Sequence, residues 1–484
     1  MPVRTRFAPS PTGYLHVGGY RTALYAFYVA RQNGGAFILR IEDTDRERLV
    51  PGAVEALVRT FARMNMTFDE GPILVDGALK EQGSHGPYVQ SARVELYKKY
   101  AQQLVDDRRA YPCFCSKKEI QTRRETFEKT GIHVTDLCRS LSVETGRVRM
   151  KNESHVLRFS WSLRRDFVEC KDLVHGNLRF PNTDFDDFII LKSDGFPTYH
   201  LASVVDDHLM KITHVIRGDE WLSSLPKHVM LYEAFGWQPP AFAHLPLILN
   251  PDKTKLSKRQ GDVAVEDYLA KGYLPEALEN FVALIGYNPT GDREIYARDE
   301  MIRLFDLTKV NASGGVFNLE KLNWMNQQYL QKKTPAELAA LGRAFVDDGI
   351  VDDATLEKIC AVERTRLTTL GELPQAVENF LAPPSYEAPL LVWKKADAAD
   401  AKASLDALAA FLETQDGALF ADAKTIETSV MSFIAARGLK NGNVLWPARV
   451  ALSGRAQSPG PFEFIWVLGK DETLRRLRHA VDLL

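Results

Sequence analysis

Apolar and polar positions alternate from Val3 to Phe7, as in a short strand. The run Ala8-Pro9-Ser10-Pro11-Thr12-Gly13 then interrupts any regular element. From Gly18 the apolar spacing changes to three and four, with Leu24, Phe27 and Tyr28 on one helical face, and Gly34-Gly35 ends that helix. Phe37 to Ile41 reads as a second strand. Strand, helix and strand at this separation predict a parallel, right-handed crossover, and hence a nucleotide-binding α/β domain at the N-terminus.

The same texture returns later. Phe188–Leu191 and His214–Arg217 read as strands, and Leu225–Phe235 as a helix stopped by Gly236. Between these two stretches the chain is rich in charge, carries cysteines and mixes helix and strand signals, which predicts a domain inserted into the first fold. Beyond Pro335 the pattern is almost wholly helical, with Leu405, Leu408, Phe411 and Leu412 on one face, and Pro383-Pro384 with Pro389 marks a break within it. The predicted fold class is multidomain, α/β plus all-α. A Rossmann-like parallel-sheet domain occupies 1–104 and 188–250, around an inserted α/β domain at 105–187. A region with a basic loop follows at 251–334, then two helical domains at 335–390 and 391–484.

Composition narrows the class. The 484 residues are 45% hydrophobic and 26% charged, as in a globular domain protein. No stretch approaches the roughly 20 apolar residues of a membrane span, and no apolar leader opens the chain, so the cytoplasm is the expected compartment. Five cysteines in this length are not a disulfide framework. A net charge of −2 argues against nucleic-acid binding by overall charge and leaves local basic faces open.

Two segments carry chemistry. His16-Val17-Gly18-Gly19 stands where the Pro/Gly loop enters the first helix. Unpaired N–H groups and the helix dipole favour phosphate there, and an imidazole can donate to a phosphate oxygen as charge builds up. Lys255-Leu256-Ser257-Lys258-Arg259 lies between Asn250-Pro251-Asp252 and Gly261-Asp262, a loop composition. Three cations within five residues suit a polyphosphate. Alone, the first is an ordinary loop-to-helix turn and the second a solvated basic turn.

Together they resemble the HIGH and KMSKS signatures of class I aminoacyl-tRNA synthetases. The longer run Arg6 to Gly19 looks like the bacterial glutamyl-tRNA synthetase version. So do Arg40-Ile41-Glu42-Asp43-Thr44-Asp45, Asp69-Glu70-Gly71-Pro72, Pro197-Thr198-Tyr199-His200-Leu201, Val204-Val205-Asp206-Asp207-His208 and Ile216-Arg217-Gly218-Asp219-Glu220-Trp221, all in the family's order. Gly19 replaces the second histidine of the general class I signature, as is usual in the glutamyl branch.

The resemblance implies a glutamate–tRNA ligase using ATP with Mg²⁺, acting on L-glutamate and tRNA(Glu), usually as a monomer. It implies that His16 and Lys258 contact the ATP phosphates with Lys255 assisting, and that Gly18 lies against the adenosine. Arg6 and Arg217 would take the glutamate carboxylates and Glu42 its ammonium. Ala8, Ser10 and Tyr199 would complete that pocket. Many relatives carry Asn at the position of Ser203, so that contact is not carried over. The inserted domain would hold the tRNA acceptor end. The helical half would reach the anticodon, through Arg364 or Arg366. Cys113, Cys115 and Cys138 match three of the four ligands of a zinc site found in some relatives. Ser140 stands at the fourth position and His133 is a substitute at a different spacing, so the balance is against zinc. Three alternatives are weighed. A paralogue that glutamylates a tRNA base would lack the helical half. A glutaminyl enzyme would end in β-barrel. A dead RNA-binding relative would have lost His16, Lys255 or Lys258.

Overall fold

The computed structural model describes residues 2–130, 137–161, 166–256, 263–394 and 396–484. These form two compact units, one of Met1–Tyr268 with Pro275–Leu319, the other of Leu269–Leu274 with Glu320–Leu484.

In the first unit, strand β1 (Arg4–Phe7) leads through the Pro/Gly loop into helix α1 (Val17–Gln32), which returns the chain to β2 (Ala36–Leu39). β1 and β2 pair in parallel, Thr5 opposite Phe37, which is the crossover that the spacing predicts. The return depends on Gly35. A Cβ there would sit 2.1 Å from the carbonyl oxygen of Val3, where the neighbouring amide of Ala36 bonds at 2.9 Å. A hairpin, β3 (Gly71–Val75) and β4 (Ala78–Gln82), follows.

Beyond it the chain forms β5 (Ala110–Cys113), β6 (Val156–Phe159), β7 (Phe167–Asp172), β8 (Gly176–Pro181) and β9 (Phe188–Leu191). Then come β10 (His214–Gly218), β11 (Ala241–Leu245), β12 (Ile248–Leu249) and β13 (Gly315–Val316). The main sheet runs β2-β1-β10-β11-β7-β8, parallel except for the β7–β8 hairpin at its edge. A separate antiparallel sheet is β5-β6-β9. Phe188–Leu191 is therefore a strand as expected, but its partner is β6, not the main sheet. Conversely, β7 lies in the charge-rich stretch and extends the main sheet. The period of a strand reports which face is buried, and it does not name the neighbour. The two sheets share one core: Leu157, Phe159 and Trp161 cluster with Leu201, Val205 and Phe242.

The helix Leu225–Phe235 ends at Gly236 with φ 68, as its sequence indicates. In the second unit no strand occurs among the described residues. Its helices include Pro335–Gly342 and Ala398–Glu413, both opened by capping boxes. Leu405, Leu408 and Leu412 of the latter are buried, and Phe411 stacks on Phe433 at 4.5 Å. The all-helical end separates this chain from a β-barrel-ended alternative. No described helix is long and apolar enough to cross a membrane.

Candidate active site

The carboxyl ends of β1 and β10 and the segment after β2 open on one cavity of about 970 Å³. Parallel sheets place ligands at this edge. Arg6, Ala8, Ser10, His16, Glu42, Tyr199 and Arg217 all line it. Residues up to 211 positions apart in the chain are thus brought together as the resemblance implies.

Below the cavity lies a buried ionic layer. Asp207 Oδ1 accepts from Arg6 Nε at 3.1 Å and from Arg40 Nη1 at 2.6 Å. Arg40 also donates to Glu42 Oε1 at 3.0 Å. Arg93, Gln90 and Tyr97 all donate to Asp206, which stands 3.9 Å from Arg40 Nε. Burial pushes the Asp207 carboxyl up, but Arg40 and Arg6 outweigh it and hold it below the usual carboxylate range. Burial dominates at Glu42, which lies above its ordinary value despite Arg40 and Arg6. Charges this deep persist only when paired, which explains the density of partners.

Arg217 differs. It is 5% exposed, yet among the described residues no carboxylate lies within 4.0 Å of its nitrogens. Its Nη1 donates to Tyr199 Oη at 2.8 Å and faces His228 Nδ1 at 3.4 Å. Nη2 donates to the carbonyl of Trp221 at 3.3 Å, and Nε to His244 Nε2 at 2.9 Å. The Trp221 ring packs on Tyr199 at 4.2 Å. Burial, then Arg217 itself, keeps His228 well below the histidine range, and burial takes His200 down to about 3. The side chains that touch Arg217 are a phenol and two histidines held below their ordinary range by burial.

His16 begins α1. Its Nδ1 accepts from the amide of Gly18 at 2.9 Å, an unusual cap made by an imidazole. His16, Gly18 and Gly19 also line a second cavity, of about 270 Å³, together with Lys255 and Leu256. Lys255 is held opposite Leu249 by a turn over Asn250–Thr254. Lys258 lies outside the described residues, as do Ser257, Arg259 and His133. The residues flanking that segment are placed. Leu256 bonds to Ile248, and Val263 accepts from the amide of Val17, one residue from His16.

The remaining expectations fall as follows. Ser203 is fully buried, among the described residues its hydroxyl has no hydrogen-bond partner, and it does not line the cavity. Cys113, Cys115 and Cys138 do converge, with their sulfurs within 4.8 Å of one another, and among the described residues no fourth Cys, His, Asp or Glu joins them. Three donors do not close a tetrahedral site, so the fit to zinc is incomplete. Arg364 donates to the carbonyl of Lys333 at 3.4 Å, while Arg366 is exposed and holds the carbonyl of Val362 at 2.9 Å. Sequence reasoning missed roles for Arg40, Asp207, His228, His244 and Asp172. The visible signal for one was two adjacent acids, Asp206 and Asp207, directly after the largely apolar run Leu201–Val205. Acids there have to be paired.

Residues 2–324 match the family described as tRNA synthetases class I (E and Q), catalytic domain, and residues 330–481 match the anticodon binding domain. The glutamate–tRNA ligase of Chloroherpeton thalassium is 43% identical, with 100% of this chain and 98% of the relative covered. That of Lachnoclostridium phytofermentans is 41% identical, covering 100% and 99%. The crystal structure of a glutamate tRNA ligase from Elizabethkingia meningosepticum, in complex with its amino acid, superimposes with a TM-score of 0.88 at 36% identity and full coverage of both chains. On these grounds the chain belongs to the glutamate–tRNA ligases of the class I tRNA synthetases.

Proposed function

We propose that the chain activates L-glutamate with ATP and transfers it to the terminal adenosine of tRNA(Glu). The observation that carries this reading is a buried guanidinium, Arg217, which lines the cavity with Arg6 and Glu42 and, among the described residues, has no carboxylate within hydrogen-bond reach. Glutamate brings two carboxylates and one ammonium, which match two arginines and one acid in number and sign. Arg6 and Arg217 bind the carboxylates, Glu42 the ammonium, and Tyr199, Ser10 and the Ala8 backbone complete the fit.

The α-carboxylate attacks the α-phosphorus of ATP, a mixed anhydride forms, and pyrophosphate leaves. No protein nucleophile is needed, so positioning and charge stabilisation do the catalysis. His16 donates to a phosphate, Gly18 lies against the adenosine, and Lys255 and Lys258 neutralise the leaving pyrophosphate. In the second step a ribose hydroxyl of the tRNA attacks the glutamyl carbonyl and AMP leaves. Mg²⁺ accompanies ATP. Among the described residues no group of three acid, His or Cys donors lines the nucleotide cleft.

The region containing the β5-β6-β9 sheet receives the acceptor end, and the helical unit reads the anticodon, with Arg366 the exposed candidate and Arg364 beside it. The protein acts as a cytoplasmic monomer. Glutamate-dependent ATP–pyrophosphate exchange and charging of tRNA(Glu) and tRNA(Gln) test the reading. Exchange with tRNA present and glutamate favoured strongly over glutamine is expected. Silence with tRNA, or equal use of both amino acids, would refute it.

A further inference from the structure

Behind Arg217, away from the cavity, the chain places a second pair. His244 on β11 receives Arg217 Nε at 2.9 Å on its Nε2, and its Nδ1 lies 2.7 Å from Asp172 Oδ2 on β7. Both side chains are completely buried. Asp172 is itself held by three amides: those of His244 at 3.1 Å, Val174 at 2.9 Å and His175 at 3.0 Å. The two strands meet at this point, Asp172 lying opposite Phe242.

The chemistry of the donors leaves one arrangement. A guanidinium nitrogen only donates, so Nε2 of His244 carries the lone pair. The ring proton then sits on Nδ1, where Asp172 accepts it. A ring with its proton on Nε2 would set two donors face to face. Burial, with Arg217 adding and Asp172 opposing, keeps the imidazole below the ordinary histidine range, so the ring is neutral. With Tyr199, His228 and Trp221, four of the five Arg217 N–H groups have partners within the protein. One donor is left for a ligand.

We propose that Asp172 and His244 are positioning residues for glutamate recognition: the carboxylate fixes the imidazole tautomer, and the imidazole fixes the guanidinium of Arg217. This rests on Arg217 binding a glutamate carboxylate. The interposed ring also explains why Arg217 stays available. A carboxylate in direct contact would neutralise much of that charge within the protein, as Asp207 and Glu42 do for Arg40. A neutral imidazole pins the orientation and leaves the positive charge for the substrate. The acid stands one residue further back, where it still favours a cation at Arg217.

The test uses the full chain with tRNA and reads KM for glutamate and for ATP separately in pyrophosphate exchange. His244→Leu and Asp172→Asn are expected to raise KM for glutamate roughly tenfold or more, the loss of one charge-assisted hydrogen bond. KM for ATP should change by less than about twofold. His244→Gln keeps an acceptor near the position of Nε2 and should recover most of the loss. Discrimination against glutamine should fall in the first two variants. The ¹⁵N chemical shifts of His244 in the unaltered protein provide a readout that needs no variant, and an unprotonated Nε2 with a protonated Nδ1 is expected. A protonated Nε2, an unchanged KM for glutamate, or parallel damage to both KM values and to kcat would overturn the proposal. Arg217→Ala separates the two levels. If it leaves KM for glutamate unchanged, the glutamate reading fails. If it raises KM while the His244 and Asp172 variants do not, only the positioning role fails.

Discussion

The amide of Gly18 donates to Nδ1 of His16 at 2.9 Å, so the imidazole caps the helix that it precedes. That bond occupies Nδ1 as an acceptor, so the ring proton of the neutral imidazole sits on Nε2. Two roles therefore separate by substitution. His16→Asn keeps a capping oxygen and should melt near the parent temperature, while slowing adenylate formation by about 10²-fold or more, as for loss of one donor to developing charge. His16→Ala loses both and should also cost about 1 kcal/mol of stability. Gly18→Ala adds a Cβ 3.3 Å from Nδ1 and should lower kcat by displacing the ring. Single-turnover adenylation and thermal melts check all three.

Glu42 gives the amino-acid site a pH dependence. Its carboxyl lies above the ordinary glutamate value because burial outweighs Arg40 and Arg6. Only the carboxylate attracts an ammonium, so affinity for glutamate is complete well above the raised pKa and is lost as pH falls through it. KM for glutamate should begin to rise at a less acid pH than an ordinary carboxylate would give. In Glu42→Gln, KM should be high and free of this limb. KM measured from neutral to mildly acid pH decides it.

Asp207 is a different case, because Arg6 and Arg40 share one of its oxygens. Its folded pKa is depressed, so its stabilisation is complete above the unfolded value and disappears as pH falls through the folded one. Asp207→Asn leaves two buried guanidiniums short of a partner. A cost of about 3–5 kcal/mol is expected in urea unfolding, and weaker glutamate binding with it, since Arg6 loses its orienting contact.

The three cysteines make a simpler forecast. Protein purified without added zinc should carry far less than stoichiometric metal, and a zinc chelator should leave charging intact once Mg²⁺ is restored. Elemental analysis beside the charging assay checks both halves. Tight, stoichiometric zinc would show that a ligand outside Cys113, Cys115 and Cys138 completes the site.

Much of this was readable from the chain, for identifiable reasons. The helix Leu225–Phe235 and its stop at Gly236 follow from local chemistry, because a left-handed residue at a helix end favours glycine. The positions of Arg6, Glu42 and Arg217 follow from a motif order that the fold merely closes up. The partner of Phe188–Leu191 was not readable, since any antiparallel edge would satisfy its pattern. Nor was the contact between Asp172 and His244, which are 72 residues apart. Asp172 ends a strand whose alternation buries Val168 and Cys170 as well, and nothing local distinguishes the acid from a turn residue. Long-range polar pairs leave no period in the sequence.

The β7–β8 hairpin touches the segment around Arg217 twice. Asp172 reaches it through His244, and His175, in the turn, holds Asp219 at 2.8 Å just beyond Gly218. The hairpin is consequently no detachable ornament on the sheet edge. A graft from another scaffold would have to bring an acid at the last position of its first strand and a histidine three places on. Without them the transplanted chimera would inherit a loosened amino-acid pocket, even though no residue facing the substrate had been exchanged.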